Sequence, residues 1–203
     1  MFGGFVKIDS RTIEVPSGYV ANVATYMEIP KPRSFSADAA PDGCNLERVA
    51  SDQVQRYRLV FGAVGQEFLW FSRLAMSDND LTRLLRERGI EAYVATEHGE
   101  DVGLIELDFR GANACELSIF GLVQTARRRG LGRWLLSEAL SHAWNRPIAR
   151  LWLHTCTFDD PYAVTFYRNA GFVPFKSEVE IHEDPRLLGV LPEVCAPAIP
   201  LLK

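Results

Sequence analysis

The sequence lacks the features that mark several large classes of protein. Its four cysteines are widely separated, no C-x-x-C pair exists, and the four histidines are equally scattered. A chain of 203 residues does not need disulfides to fold, so we expect reduced thiols and no disulfide framework. Since no two histidines have the spacing of metal ligands, we also expect no metal site.

Long apolar runs and an excess of basic residues are missing as well. No apolar stretch approaches the roughly 20 residues that span a bilayer, and residues 1–10 show no basic start followed by an apolar run. We therefore expect neither a membrane segment nor a signal peptide. Lys and Arg number 22 against 26 Asp and Glu, and the net charge of −4 argues against a partner that is nucleic acid or a membrane surface. The sequence predicts a cytoplasmic protein.

The composition is that of an ordinary globular protein. Hydrophobic residues make up 47% and charged residues 24% of the chain, which excludes disorder and coiled coil as the main structure. The length favours one domain over residues 1–203.

Hydrophobic periodicity predicts alternating groups of strands and helices. Strands are expected over 20–29, 90–96, 102–109, 114–123, 150–155 and 172–181, with shorter extended runs at 6–8, 12–15 and 199–202. Helices are expected over 52–64, 77–88, 131–144 and 161–170, with a capping box that begins at Ser77 in the second, and residues 30–45 form a loop. A turn at 99–101 joins the strands 90–96 and 102–109 into a hairpin. This order predicts a mixed α/β or α+β layer rather than an all-parallel doubly wound sheet.

One segment carries most of the chemical information. After the strand that ends near residue 123 come three arginines and two glycines, followed by an amphipathic helix. Unpaired N–H groups at a helix start and glycines that admit a phosphate form an anion cradle, to which arginines add countercharge. The alternative is a basic helix start with solvated arginines. No Gly-Lys-Ser/Thr follows and a third glycine is missing, which excludes a P-loop and a Rossmann fingerprint.

Two motifs resemble those of a known family. The stretch Arg127-x-x-Gly130-x-Gly132 resembles the pyrophosphate-binding signature R/Q-x-x-G-x-G/A of the GNAT superfamily of N-acetyltransferases. The segment from Asp160 to Phe172 is similar to that family's N-x-x-A-x-x-x-Y-x-x-x-G-F segment, with Asp in place of the usual Asn. The resemblance covers about residues 90–175, and leaves 1–20 and 184–203 as unassigned peripheral extensions.

The resemblance implies a GNAT-type α+β fold, with a central mixed, mostly antiparallel sheet flanked by helices and opened by splayed strands. The strand 114–123 would part from 150–155, and acetyl-CoA, as cosubstrate, would lie in the resulting cleft. Its pantetheine arm would pair with backbone groups near Leu122 and Val123 and contact Asp160 and Tyr167. The residues implied to bind the pyrophosphate are Arg127, Arg128, Arg129, Gly130, Leu131, Gly132 and Arg133.

The resemblance also implies direct attack of an amine on the thioester. Glu116 is the candidate base; the alternative is that it is an exposed carboxylate on a strand. Tyr167 is the candidate acid; the alternative is that it is an aromatic residue of the core. His154 is interpreted as structural, and a covalent route through Cys156 is disfavoured because no histidine is paired with it in the sequence. The aromatic run 68–71 is interpreted as core, with an acceptor pocket as the alternative.

The predicted function is therefore acetyl-CoA-dependent N-acetylation of a small-molecule or peptide amine. A primary amine is favoured, because Glu116, Asp159 and Asp160 would make the cleft negative. Two alternatives stay open: an inactive acyl-CoA-binding regulatory module, and a protein-interaction component on the same fold. The sequence does not identify the acceptor, and it leaves a homodimer open.

Overall fold

The computed structural model describes residues 10–32 and 34–203. Its strands are β1 (Tyr19–Pro30), β2 (Cys44–Arg48), β3 (Ile90–Glu97), β4 (Glu100–Asp108), β5 (Ala114–Leu122), β6 (Arg150–Cys156) and β7 (Val173–Glu183). The helices are α1 (Val54–Gly65), α2 (Asp78–Arg86), α3 (Leu131–Trp144) and α4 (Ala163–Asn169). The seven strands form one sheet in the order β2-β3-β4-β5-β6-β1-β7, which confirms the predicted α+β fold class.

The sheet is mostly antiparallel, and β5 and β6 form its parallel pair. Helices α3 and α4 pack on one face and α1 and α2 on the other. Successive side chains of a strand point to opposite faces. Accordingly Tyr93 joins the cluster under α3, whereas its neighbours Ala92 and Val94 join the cluster under α1. A strand that is buried on both sides is nearly continuously apolar.

Several predicted elements agree closely with the structure. Helix α3 occupies the predicted residues, because its apolar positions repeat with the helical period. Ser77 caps α2 by accepting a hydrogen bond from the Asp80 N–H. Strands β3 and β4 form the predicted hairpin, but its turn lies at His98 and Gly99, where φ is 51° and 89°. Two adjacent positive φ values suit a tight hairpin turn.

Other local predictions are wrong. Residues 10–17 and 199–202 form no strand, and the predicted run at 6–8 lies outside the described residues. The predicted loop 30–45 runs into β2, which pairs with β3 at the edge of the sheet. Short edge strands have little period of their own, so their existence depends on the neighbouring strand.

The two ends of the described chain are less peripheral than predicted. Tyr19 and Val20 already belong to β1, which lies between β6 and β7. In the C-terminal segment, defined here as residues 184–203, the Arg186 guanidinium is 1% exposed and pairs with Asp184 at 2.7 Å. The same group donates to the carbonyl of Ile199 at 2.9 Å. This segment therefore folds back around one buried ion pair.

Candidate active site

The site is a cleft that opens where two parallel strands separate. Strands β5 and β6 pair at three positions, and the last pair joins Glu116 to Trp152. Beyond it the strands diverge, as the resemblance implied. The open cleft between them has a volume of about 1380 Å³ and extends from the start of α3 to β7. The two ends differ in charge and construction.

The α3 end of the cleft is built from backbone N–H groups. Gly130 precedes α3 with φ of 87°, a left-handed conformation that glycine adopts without strain. In the part of the chain that the structure describes, no acceptor pairs with the N–H groups of residues 128–132. Together with the helix dipole, these unpaired donors create a positive potential that suits a phosphate.

Gly132 leaves open space at this helix start. A Cβ atom built there would meet Phe166 and Leu122 only at ordinary distances of 3.7 Å and more. No protein contact in the described residues therefore requires glycine at this position. A ligand that approaches the backbone would explain it.

The predicted arginines divide into two pairs. Arg127 donates to the Leu122 carbonyl at 2.9 Å and to Glu67 at 2.7 Å, so its charge is already compensated. Arg129 pairs with Glu97 at 2.6 Å and does not line the cleft. Arg128 and Arg133 line the cleft, and neither has a carboxylate partner among the residues described. The predicted countercharge is therefore available from Arg128 and Arg133, whereas Arg127 holds the loop in place.

The backbone near the end of β5 is also partly engaged. The Val123 N–H donates to the Val102 carbonyl at 2.9 Å, and the Leu122 carbonyl accepts the Arg127 Nε–H. Leu122 lines the cleft, whereas Val123 and the buried Leu131 do not. The edge of β5 that faces β6 is open from Leu117 onward, because pairing with β6 stops at Glu116. An extended ligand could add to this open edge.

Glu116 and His154 come together at the point where the strands part. His154 Nδ1 lies 3.4 Å from Glu116 Oε1, and the two side chains are 40% and 22% exposed. This contact with Glu116 raises the pKa of His154 above its usual value, and Glu180 and Asp159 add to the effect. The sequence interpretation of His154 as structural is therefore incomplete, since the histidine lines the cleft beside the candidate base.

Tyr167 is on α4, and its ring is 8% exposed. Its ring packs edge-on against Phe120 and Phe172, at centroid distances of 6.1 and 5.7 Å. Burial, followed by the charge of Asp159, raises the pKa of Tyr167 far above 10, and no residue of the described chain hydrogen-bonds its hydroxyl. The phenol therefore remains protonated and is free to donate to a ligand. The helical spacing of about 100° per residue predicts that Phe166 is buried in the core while Tyr167 faces the cleft, but Phe166 is the less buried of the two.

Asp159 and Asp160 have structural partners. Asp159 accepts hydrogen bonds from Trp70 Nε1 at 3.0 Å and from Thr155 Oγ1 at 2.8 Å. Asp160 accepts from the Tyr162 N–H at 2.9 Å. Both line the cleft, so their negative charge still acts there. Burial and Asp159 raise the pKa of Cys156 to about 11, which keeps this thiol protonated and disfavours it as a nucleophile.

The aromatic run 68–71 forms a wall of the cleft. Trp70 fits against α1 and β5 because Gly65 and Gly121 have no side chains. A Cβ on Gly65 would lie 2.3 Å from the Trp70 side chain, and one on Gly121 would lie 3.2 Å from it. These glycines were not singled out in the sequence, since the close approach links three separate segments.

Three further cleft residues, Asn22, Glu180 and His182, were also missed. They lie on β1 and β7, and Glu180 is paired across the ladder with Asn22. For Glu180 and His182 the sequence did contain a signal. In β7, Glu178, Glu180 and His182 alternate with apolar or small residues, and this pattern places them on one face of the strand. The sequence could not show that this face borders the cleft.

No group of three or more potential metal ligands converges within residues 10–32 and 34–203. The longest helix of the described chain, α3, has 14 residues, and no helix there is long and apolar enough to cross a membrane.

Residues 58–172 match the family model described as the acetyltransferase (GNAT) family. This match covers more than half of the chain. The chain belongs to the GNAT acetyltransferase family. The matched region contains the loop before α3 and the residues Glu116, His154 and Tyr167. It contains neither β1 nor β7. Membership of this family of acyltransferases confirms the resemblance based on the two motifs.

Solved structures share the fold at low sequence identity. A GCN5-related N-acetyltransferase from Sphaerobacter thermophilus is 20% identical with a TM-score of 0.62, over 88% of this chain and 55% of that one. Another from Kribbella flavida is 18% identical with a TM-score of 0.57, over 85% and 63% of the two chains. This GNAT chain thus spans only part of the length of those proteins.

A shorter neighbour is an aminoglycoside acetyltransferase from an uncultured soil metagenomic sample, solved in complex with sisomicin. It is 16% identical with a TM-score of 0.54, over 63% of this chain and 87% of that one. At 16% identity this similarity shows a shared fold and nothing more.

Proposed function

We propose that this GNAT protein is an acetyl-CoA-dependent N-acetyltransferase that transfers the acetyl group directly to an amine. The observation that carries the proposal is one continuous cleft lined by two kinds of group. Unpaired N–H groups and two arginines line it at the start of α3, and carboxylates on β5, on β7 and in the loop before α4 line it elsewhere. Glu116, His154 and Tyr167 all line this cleft.

The residues at the α3 end fit the coenzyme. The N–H groups of residues 128–132 and the side chains of Arg128 and Arg133 would hold the pyrophosphate, and Gly132 would allow its close approach. The open edge of β5 would take the amide-bearing arm. When bound, acetyl-CoA supplies the thioester carbonyl that is attacked and the thiolate that leaves.

The Glu116–His154 pair is suited to remove a proton from the acceptor. An ammonium group cannot attack a carbonyl, so the acceptor nitrogen must lose a proton first. The contact with Glu116 raises the pKa of His154 above its usual value, which makes the imidazole a stronger base. Glu116 orients the imidazole and stabilises the imidazolium that forms. The catalytic base is therefore the pair, not Glu116 alone.

Tyr167 is placed to assist the leaving thiolate. Its hydroxyl is unpaired among the described residues, and its ring is fixed by three aromatic neighbours. Because burial keeps the phenol protonated, it donates a hydrogen bond to negative charge as that charge develops. The proton needed by the thiolate comes from this hydroxyl or through it.

The acceptor is proposed to be a cationic amine. Glu116, Asp159, Asp160 and Glu180 line the cleft without an Arg or Lys ion-pair partner in the described chain, so the potential there favours cations. The sisomicin-binding neighbour is consistent with a polycationic acceptor but does not identify one for this chain. A cytoplasmic location and a homodimer stay predictions.

The test is thiol release from acetyl-CoA in the presence of a panel of primary amines, compared with acidic amino acids. We expect turnover with at least one amine, and a fall of about 10²-fold in kcat/KM for Glu116→Gln and for His154→Gln. Coenzyme A binding without turnover on any amine would instead favour the regulatory module. Absence of both binding and turnover would favour the protein-interaction component.

A further inference from the structure

A second carboxylate lies at the end of the cleft away from α3. Glu180, on β7, lines the cleft and is 27% exposed. It contacts His182, whose Nε2 lies 3.5 Å from Glu180 Oε2. Among the residues described, no Lys or Arg pairs with it. The other carboxylate on this face of β7, Glu178, is already neutralised by Lys176 at 2.6 Å.

A buried amide without a partner lies opposite Glu180. Asn22 pairs with Glu180 across the β1–β7 ladder, is 5% exposed and lines the same cleft. Its Oδ1 atom is buried and accepts no hydrogen bond from the described chain. Leaving a buried amide oxygen unpaired is costly, so such atoms usually have a partner. A donor from a ligand in the cleft would satisfy it.

The surroundings of this pair suit the carbon skeleton of an organic cation. Phe71 packs edge-on against His182 at a centroid distance of 5.8 Å, and Phe158 lines the same cleft. Apolar walls with a few fixed polar groups are the usual construction of a small-molecule site. An inorganic cation would need several oxygen ligands, and no such cluster converges within the described residues.

We propose that Glu180 and Asn22 bind a second cationic group of the acceptor, so that the preferred substrate is a diamine or a larger polyamine. Glu116 and His154 then serve the nitrogen that reacts, and Glu180 anchors a nitrogen that does not. The two carboxylates are near enough to act on one site, since the charges of both raise the pKa of His154. This inference rests on the proposed function, because it names the substrate class of the same cleft.

Direct binding tests the proposal without relying on turnover. Isothermal titration calorimetry compares linear α,ω-diamines, from diaminopropane to diaminooctane, with n-alkylamines of the same length, using coenzyme-free protein and protein saturated with coenzyme A. We expect at least one diamine to bind about tenfold more tightly than its monoamine, since it adds a partly desolvated charge pair. Glu180→Gln should reduce this ratio to within about twofold.

Glu178→Gln is the matched control, because Glu178 lies on the same strand and face but is paired with Lys176. It should keep the diamine preference. Melting temperature and coenzyme A affinity report whether each variant is folded. Equal affinities for diamines and monoamines across the series in the parent protein would overturn the inference, as would equal effects of the two glutamine variants.

The two proposals fail separately. If the protein acetylates monoamines and diamines equally well, the acetyltransferase function stands and the Glu180 site is wrong. If diamines bind in a Glu180-dependent manner but no amine is acetylated, the site stands and the transferase function is wrong.

Discussion

The two ends of the cleft are built in opposite ways. The α3 end comes from one continuous stretch, residues 127–133, and its donors are mainly backbone N–H groups. The proposed acceptor end, defined here by Asn22, Glu116, His154 and Glu180, combines side chains from β1, β5, β6 and β7, which are distant in sequence but adjacent in the sheet. The first is visible as a motif because its residues are contiguous in the chain, and the second is not because its residues come together only in the folded sheet.

Tyr167, between the two ends, should give the largest effect. Tyr167→Phe keeps the ring and removes the hydroxyl, so kcat should fall by about 10²- to 10⁴-fold while the KM for acetyl-CoA changes little. Steady-state kinetics and melting temperature measured on the same preparation check this. A kcat within about threefold of the parent would show that Tyr167 only packs against Phe120 and Phe172.

Arg186→Gln should weaken the acceptor end selectively, because the C-terminal segment packs in one cluster with Phe71 and Phe158, which line the cleft. The change leaves Asp184 buried beside a neutral group and removes donors from the carbonyls that hold the C-terminal segment. Breaking a buried pair in this way costs about 3–5 kcal/mol. Urea unfolding should show that loss, and calorimetry should show weaker amine binding.

Arg83→Gln is the control for this change, since it breaks an exposed ion pair with Asp80 that is worth about 0.3–0.5 kcal/mol. Coenzyme A affinity should stay within about twofold in both folded variants. If Arg186→Gln weakens the binding of coenzyme A as much as the binding of the amine, the two ends of the cleft are not independent.

Gly132→Ala should affect the α3 end alone. An added methyl group meets no atom of the described residues closer than 3.7 Å, so the melting temperature should not change. The Kd for coenzyme A should rise about tenfold, which corresponds to about 1.4 kcal/mol. Gly62→Ala, in the middle of α1 with open space around it, is the control. Unchanged calorimetric binding in folded Gly132→Ala would rule out close contact at this glycine.

The smallest expected effect is the pH dependence of the stability that the Glu116–His154 contact contributes. The pKa of His154 is higher in the folded protein than in the unfolded chain. The contact therefore stabilises the fold below about pH 6.5, and the stabilisation is lost as the pH rises through the folded-state pKa. Glu116→Gln should therefore lower the melting temperature near pH 5.5 and hardly at all near pH 9. Since both groups are partly exposed, the difference should stay below about 1 kcal/mol.

Glu178→Gln serves again as the control. Hydrogen bonds with Lys176 and Tyr26 lower the pKa of Glu178, so this carboxylate is ionised at both pH values and the effect of the change should not vary between them. A melting-temperature difference for Glu116→Gln that is equal at both pH values would show that the contact is not ionic.

Sequence reasoning succeeded where the relevant interactions are local. The period of α3, the Ser77 cap and the β3–β4 hairpin each depend on neighbouring residues, and each was predicted. Arg127 shows the limit of this reasoning. Its place in the motif was clear, but only the tertiary structure showed its guanidinium engaged by Glu67, 60 residues away.

The sequence by itself determined the α+β class, the family and the loop of arginines and glycines before α3. These features follow from residues close together in the chain, where helix and strand periods and glycine conformations operate. Only the tertiary structure decided that β1 enters between β6 and β7 and so brings Asn22 and Glu180 to the cleft that holds Glu116 and His154. Strand order depends on packing across the whole sheet, and a strand's own residues do not encode which neighbour it will have.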